Sequence, residues 1–149
     1  MPNWPKKKPR PGVDRYGRSP LWEMASVGDT AGVSRELAAG GDPNSPDDAG
    51  YTLLHITVQE RHVEMAELLL RSGADPNRAD KRGNGPLFTA VMAACRADRT
   101  EANLTLVALL LRSGADPAQK NNIGRSPLEM AGISGDEPVQ TLFAELVRQ

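Results

Sequence analysis

Cysteine, aromatic residues and long apolar runs are scarce in this sequence, and each shortage excludes a class of protein. The single cysteine, Cys95, cannot form a disulfide within the chain, which argues against a disulfide-stapled secreted domain. No apolar run approaches the roughly 20 residues that span a bilayer, and the first residues contain no signal-peptide core. We therefore expect a cytoplasmic protein without a membrane-spanning segment.

Neither sign of charge dominates, because 18 basic and 19 acidic residues leave a net charge of −1. This balance gives no general attraction to nucleic acid or to an anionic membrane. Aromatic residues make up 4% of the 149 residues, so aliphatic side chains and alanine must form the core of one domain. Residues 1–13 are basic and proline-rich, and we expect a solvated tail there. The alternative is an arm that uses Trp4 as an anchor.

Motifs for catalysis and for metal binding are also missing. The chain has no H-E-x-x-H, no paired C-x-x-C and no glycine-rich phosphate loop. We interpret Cys95 as a structural residue, since no orienting group that would activate it is indicated. The sequence therefore predicts no catalytic residue, no metal and no cofactor.

Internal repetition, by contrast, is extensive. Residues 68–76 recur unchanged at 109–117, and residues 17–21 recur at 124–128. Matching glycines elsewhere recur at intervals of 33 residues. The periods begin with variants of a Ser/Thr-Pro-Leu box, and the first three end with a glycine and a turn rich in Asp, Pro and Asn. The boxes are residues 19–21, 52–54, 85–87 and 126–128. Such a period is typical of a repeat protein.

The period of 33 residues, with a Thr-Pro-Leu-His-like box followed by Leu-Leu-x-x-Gly-Ala-Asp-x-Asn, resembles the ankyrin repeat. The resemblance extends from Asp14 to about Arg148. It implies an all-α solenoid of four helix-turn-helix repeats with β-hairpin-like fingers. We expect the repeats at residues 14–46, 47–79, 80–120 and 121–149.

The residues predict the same architecture on physical grounds. Ser19, Thr52 and Ser126 are N-cap residue types, and the glycine after each leucine-rich run is typical of a helix end. The third repeat is eight residues longer than the period, with the excess around residues 95–104. We predict that each helix there gains one turn, with residues 97–99 as the connection. The insertion is either a tolerated surface feature or a knob specific to a partner.

In proteins that this sequence resembles, partners bind the concave face, formed by the finger tips and the exposed sides of the first helices. The resemblance therefore implies a partner-binding set with four of the six aromatic residues. Tyrosine, tryptophan and arginine dominate interface energetics. Trp22 and Phe88 occupy the histidine position of the box, so packing between repeats is their alternative role. The predicted set is Arg15, Tyr16, Arg18, Trp22, Asp48, Tyr51, Ile56, Lys81, Arg82, Asn84, Phe88, Met92, Ile123 and Arg125.

The functional expectation is a monomeric, non-catalytic protein that binds another protein. Arginine outnumbers lysine, which is typical of GC-rich bacterial genomes, and small lone ankyrin proteins of that kind resemble immunity proteins that neutralise a toxin. The sequence thus predicts that the chain sequesters or inhibits a toxin or an enzyme. The alternative is a scaffold that bridges two proteins without inhibiting either. Basic finger tips favour a partner surface that is acidic or mixed.

Overall fold

The computed structural model describes residues 10–147, and within them the chain forms eight helices. Residues 1–9 of the predicted tail, including Trp4, and the last two residues lie outside this range. Successive helices pack in pairs, the first of each pair against the second. The helices are α1 (Pro20–Ser26), α2 (Thr30–Ala38), α3 (Leu53–Gln59), α4 (Val63–Arg71), α5 (Pro86–Ala94), α6 (Glu101–Arg112), α7 (Pro127–Ser134) and α8 (Glu137–Val147).

The four helix pairs stack into a solenoid of two layers. The first helices, α1, α3, α5 and α7, pack in that order and form one layer, while the second helices form the other. Between residues 10 and 147 no strand is present, and an isolated antiparallel bridge joins Pro46 to Thr52. The predicted all-α solenoid of four helix-turn-helix repeats is confirmed, and its fingers are hairpin-like turns.

Three of the first helices begin at a side chain that caps them. Ser19, Thr52 and Ser126 each accept a hydrogen bond from the backbone N–H three residues later. Proline follows Ser19 and Ser126, where its missing N–H removes no helical hydrogen bond. The three predicted N-caps are therefore confirmed, whereas α5 begins after Gly85 without a side-chain cap.

A single aliphatic core runs through all four repeats. The leucine of each box shows how stacking forms it. Leu21, Leu54 and Leu87, each in a repeat that another repeat follows, are 6%, 1% and 2% exposed. Leu128, at the same position of the last repeat, is 45% exposed, since no further repeat follows within the described residues. Each repeat thus depends on its neighbour to bury its apolar face.

The eight extra residues of the third repeat are shared between its helices and their connection. Helix α5 has nine residues where α3 has seven, and α6 has twelve where α4 has nine. The connection spans residues 95–100, against residues 60–62 in the second repeat. The prediction that each helix gains one turn is therefore wrong for α5, which gains about half a turn. Thr100 is the N-cap residue of α6.

Ion pairs join this connection to the repeats on both sides. Arg61 of the second repeat lies 3.3 Å from Asp98, which also lies 3.3 Å from Arg96. Arg99 pairs with Asp136, directly before α8, and donates to the Ala94 carbonyl at 3.2 Å. Three charged side chains of the connection, Arg96, Asp98 and Arg99, are thus engaged within the chain.

Candidate functional site

Each finger is a tight turn organised by one side-chain oxygen. In the first finger, Asp14 Oδ1 accepts hydrogen bonds from the backbone N–H groups of Tyr16 at 2.8 Å and Arg18 at 3.0 Å. Asp47, Asp80 and Asn121 hold the same place in the other fingers and accept from the amides two and four residues later. The fingers are residues 14–18, 47–51, 80–84 and 121–125.

Backbone hydrogen bonds join the finger tips into one continuous edge, here called the finger row. The Asp48 amide donates to the Tyr16 carbonyl at 2.8 Å, and the Lys81 amide donates to the Ala49 carbonyl at 2.9 Å. The Asn122 amide donates to the Arg82 carbonyl at 2.9 Å. Gly83 has a φ of +82°, and an added Cβ would lie 2.8 Å from the Asn122 nitrogen. Only glycine fits there.

The fourth box position connects each first helix to the next finger. His55 Nε2 donates to the Asn84 carbonyl at 2.8 Å, 29 residues ahead. Trp22 Nε1 donates to the Tyr51 carbonyl at 3.1 Å, again 29 residues ahead. Phe88 has no donor to make this bond. For Trp22, the structure therefore favours packing between repeats, which was the alternative to partner binding. Phe88 is half-buried, so its partner-binding role stays a prediction.

His55 is fully buried, and both of its ring nitrogens are used. Nδ1 accepts from the Thr52 amide at 3.1 Å, which leaves the proton on Nε2 for the Asn84 carbonyl. Burial lowers the pKa of His55 below its usual value of 6.5, although the Asn84 carbonyl acts in the opposite direction. A neutral imidazole with a hydrogen bond at each ring nitrogen has a structural role.

Tyr51 is half-buried and packs against the core. Its ring lies 4.7 Å from that of His55, and its hydroxyl donates to Gln59 Oε1 at 2.8 Å. Burial raises the pKa of Tyr51 to about 12. These contacts give Tyr51 a structural task beside any contact with a partner.

The first finger carries a group of stacked cationic and aromatic side chains, here called the arginine stack: Arg15, Tyr16, Arg18 and Trp22. The guanidinium carbons of Arg15 and Arg18 lie 4.7 and 4.8 Å from the centre of the Tyr16 ring. Arg18 also lies 4.3 Å from the centre of the Trp22 ring. Contacts at this distance are cation–π interactions. They fix two positive charges at one end of the finger row.

The predicted site residues divide into three groups by exposure. Trp22 and Ile56 are 4% and 7% exposed, and their placement on the partner-binding surface is wrong because both side chains lie in the core. Half-buried are Arg18, Asp48, Tyr51, Asn84 and Phe88. Exposed are Arg15, Tyr16, Lys81, Arg82, Met92, Ile123 and Arg125.

An apolar groove between α7 and α8 lies outside the predicted set. It has a volume of about 270 Å³ and is bordered by Leu128, Gly132, Phe143 and Val147. Sequence reasoning missed it because the box leucine is a core residue in the earlier repeats. The signal that could have identified the groove was the position of Leu128 in the last repeat of this sequence.

Among residues 10–147, no group of three or more His, Cys, Asp or Glu side chains is placed to hold a metal ion. Cys95 is half-buried at the end of α5, and His62 Nε2 contacts the Ser26 carbonyl at 3.0 Å. None of the helices in this part of the chain combines the length and the apolar character that crossing a bilayer requires.

Comparison with known proteins gives consistent similarities. The family model described as ankyrin repeat matches residues 49–81 and 86–122. An ankyrin repeat-containing protein of Schizosaccharomyces pombe is 38% identical over 68 residues, which are 46% of this chain and 33% of that protein. The 2-5A-dependent ribonuclease of Mus musculus is 40% identical over 73 residues, 48% of this chain and 10% of that enzyme.

A third relative, the human ankyrin repeat domain-containing protein 39, is 39% identical over 54 residues, 36% of this chain and 30% of its own length. The chain thus spans a third or less of each of these three relatives. The similarity with the ribonuclease covers repeats alone.

Proposed function

This chain is an ankyrin-repeat protein, and we propose that it binds one partner protein through the finger row and the exposed side of its first helices. Ankyrin repeats are generally protein–protein interaction modules and are typically not catalytic. The observation that carries the proposal is the row of exposed side chains on the joined finger tips. It combines cations with the apolar side chain of Ile123, which is 81% exposed.

The charges of the finger row support a partner with an acidic or mixed surface. The exposed cations Lys81, Arg82 and Arg125 lie on its third and fourth fingers. The organising aspartates of the same row direct an oxygen into their own turns, and the fourth finger has neutral Asn121 instead. Complementary charge of this kind raises association rates and makes them sensitive to salt.

Inhibition of the partner is the finer form of this proposal. A continuous surface on one side of the solenoid is suited to cover the active site or the substrate groove of a partner. Such covering would sequester an enzyme or a bacterial toxin. The alternative, a scaffold for two proteins, would need a second surface. The repeat-three connection is a poor candidate for it, since Asp98 and Arg99 are paired inside the chain. We further propose that the protein acts as a monomer in the cytoplasm.

Affinity capture with matched variants tests the binding surface. The triple variant Arg82→Ala, Met92→Ala, Ile123→Ala removes exposed side chains from the third and fourth fingers and from α5. We expect it to keep the fold and to lose the protein that the unaltered chain captures from lysate, because truncated hot-spot residues cost about 2 kcal/mol or more each.

The matched control is Arg35→Ala, Glu64→Ala, Arg112→Ala, which changes exposed residues on α2, α4 and α6 and removes the same net charge. It should capture the partner as the unaltered chain does. Loss of the partner by the control, with retention by the finger variant, would place binding on the second helices and refute the proposal. An activity assay of the captured protein then separates inhibition from scaffolding.

A further inference from the structure

The arginine stack carries two positive charges that no carboxylate within residues 10–147 pairs with. Neither Arg15 nor Arg18 takes part in any of the ion pairs of this region. Asp14 directs its Oδ1 to two backbone amides of the same finger, and Asp48 pairs with Arg10 at 2.6 Å. Arg15 also donates a hydrogen bond to the Tyr16 hydroxyl, so both guanidinium groups of the stack are held by aromatic side chains rather than by counter-charges.

The rings hold Arg18 in a defined place. Trp22 is buried and anchored by its hydrogen bond to the Tyr51 carbonyl, and Arg18 lies against this fixed ring and against Tyr16. Arg18 Nε is buried and has no hydrogen-bond acceptor in the described part of the chain. Because Nε is enclosed, an incoming acceptor meets the terminal nitrogens of this half-buried guanidinium, where the reduced contact with solvent strengthens a charge-assisted hydrogen bond.

A carboxylate is the group that this arrangement fits. The planar fork of a guanidinium matches the two oxygens of a carboxylate, and an arginine stacked on aromatic rings loses little freedom when it binds one. Phosphate groups are usually held by several donors that converge on one point. Here the cations are spread along an edge, with Arg15 and Arg18 at one end and Lys81, Arg82 and Arg125 farther along. An extended acidic segment suits such a row better.

We propose that the arginine stack is the docking site for a carboxylate side chain of an acidic segment of the partner protein. The inference rests on the proposed function and names the chemistry of the partner. The segment begins at the arginine stack and continues along the finger row, where the remaining cations meet further acidic groups.

The test uses a fluorescent decaglutamate peptide as the probe and measures its binding to the full chain by anisotropy at low salt. The variant Arg15→Gln, Arg18→Gln should bind the peptide at least about tenfold more weakly. The substitutions replace charge-assisted hydrogen bonds to the peptide carboxylates with weaker hydrogen bonds between a neutral donor and a carboxylate. The matched control Arg71→Gln, Arg112→Gln loses two exposed arginines from α4 and α6 and should stay within about twofold of the unaltered chain.

A second variant separates the stack from net charge alone. Tyr16→Leu keeps every charge but removes the ring against which both arginines lie, and it should also weaken peptide binding several-fold. Equal weakening by both arginine pairs, or no effect of Tyr16→Leu, would reduce the binding to general charge attraction and overturn the inference. A peptide that is uncharged except for one phosphotyrosine is the second probe. If it binds the chain more tightly than decaglutamate does, the stack is a phosphopeptide site instead.

The outcome is independent of the capture experiment. That experiment alters the third and fourth fingers and α5, whereas this one alters the first finger alone. If the triple variant loses the partner but the Arg15→Gln, Arg18→Gln variant binds decaglutamate as tightly as the unaltered chain does, the proposed function stands and the carboxylate site falls. If the peptide binds at the stack but the triple variant still captures the partner, the stack is a carboxylate site while the proposed partner surface falls, and with it the assignment of the carboxylate to that partner.

Discussion

Trp22 and His55 perform the same task with different rings. Both donate a ring N–H to a carbonyl of the next finger, 29 residues ahead, and thereby attach a first helix to the finger that follows it. The sequence could predict that both residues occupy one box position. It could not predict that indole would reach the same carbonyl, and for that reason Trp22 entered the predicted binding surface.

Ile56 entered the predicted surface for a related reason. The position after the box histidine lies on a helix face that a sequence pattern can assign only approximately, and in the solenoid Ile56 belongs to the hydrophobic core. The exposed tips, by contrast, follow from the turn chemistry of each finger. Arg82, Ile123 and Arg125 are accordingly exposed, as the alignment of repeats indicated.

The buried state of His55 predicts a pH dependence of stability. The pKa of His55 is lowered in the folded chain, so the unfolded chain binds the proton more readily as pH falls below the ordinary value of about 6.5. Stability should therefore be fully present above this pH and should decline below it. Urea unfolding between about pH 5 and 8 measures the effect.

The variant His55→Gln should be less stable at neutral pH but should lose most of this pH dependence, whereas His62→Gln keeps His55 and serves as the control. An unchanged pH dependence in His55→Gln would assign the effect to another group.

At the scale of the helix and the repeat, each element is stabilised chiefly by its neighbour. The box leucine is buried wherever a repeat follows and half-exposed where none does within the described chain. Sequence repetition predicts this stacking, including the eight helices and their N-caps. It does not predict how eight inserted residues divide between helix and connection, since the connection makes contacts such as Arg99 with Asp136 that join residues 37 positions apart.

A pair of matched truncations tests this dependence on neighbours. Leu54→Ala should lower the free energy of unfolding by about 2 to 5 kcal/mol, because it leaves a cavity between the second and third repeats. Leu128→Ala changes the same box position in the last repeat and should cost less than about 1 kcal/mol, since the side chain is 45% exposed. Urea unfolding of both variants checks the difference. Equal losses would show that the last repeat is packed as an interior repeat is.

At the scale of the whole molecule, the solenoid places its finger tips on one continuous edge and its second helices away from it. The edge carries exposed cations and Ile123, and one end of it carries the arginine stack. The sequence predicted the finger tips because their turns repeat. The stack could not be foreseen, because neither the ring contacts of Arg18 nor its lack of a counter-charge can be read from the order of residues.

Hydrogen exchange of the purified complex, compared with the free chain, tests the central claim most directly. The account predicts slower exchange in residues 14–18, 80–84 and 121–125 and in the first helices, with the amides of α2, α4 and α6 unchanged beyond any global stabilisation. Protection confined to the second helices, with the fingers exchanging as in the free chain, would contradict the claim that the finger row binds the partner.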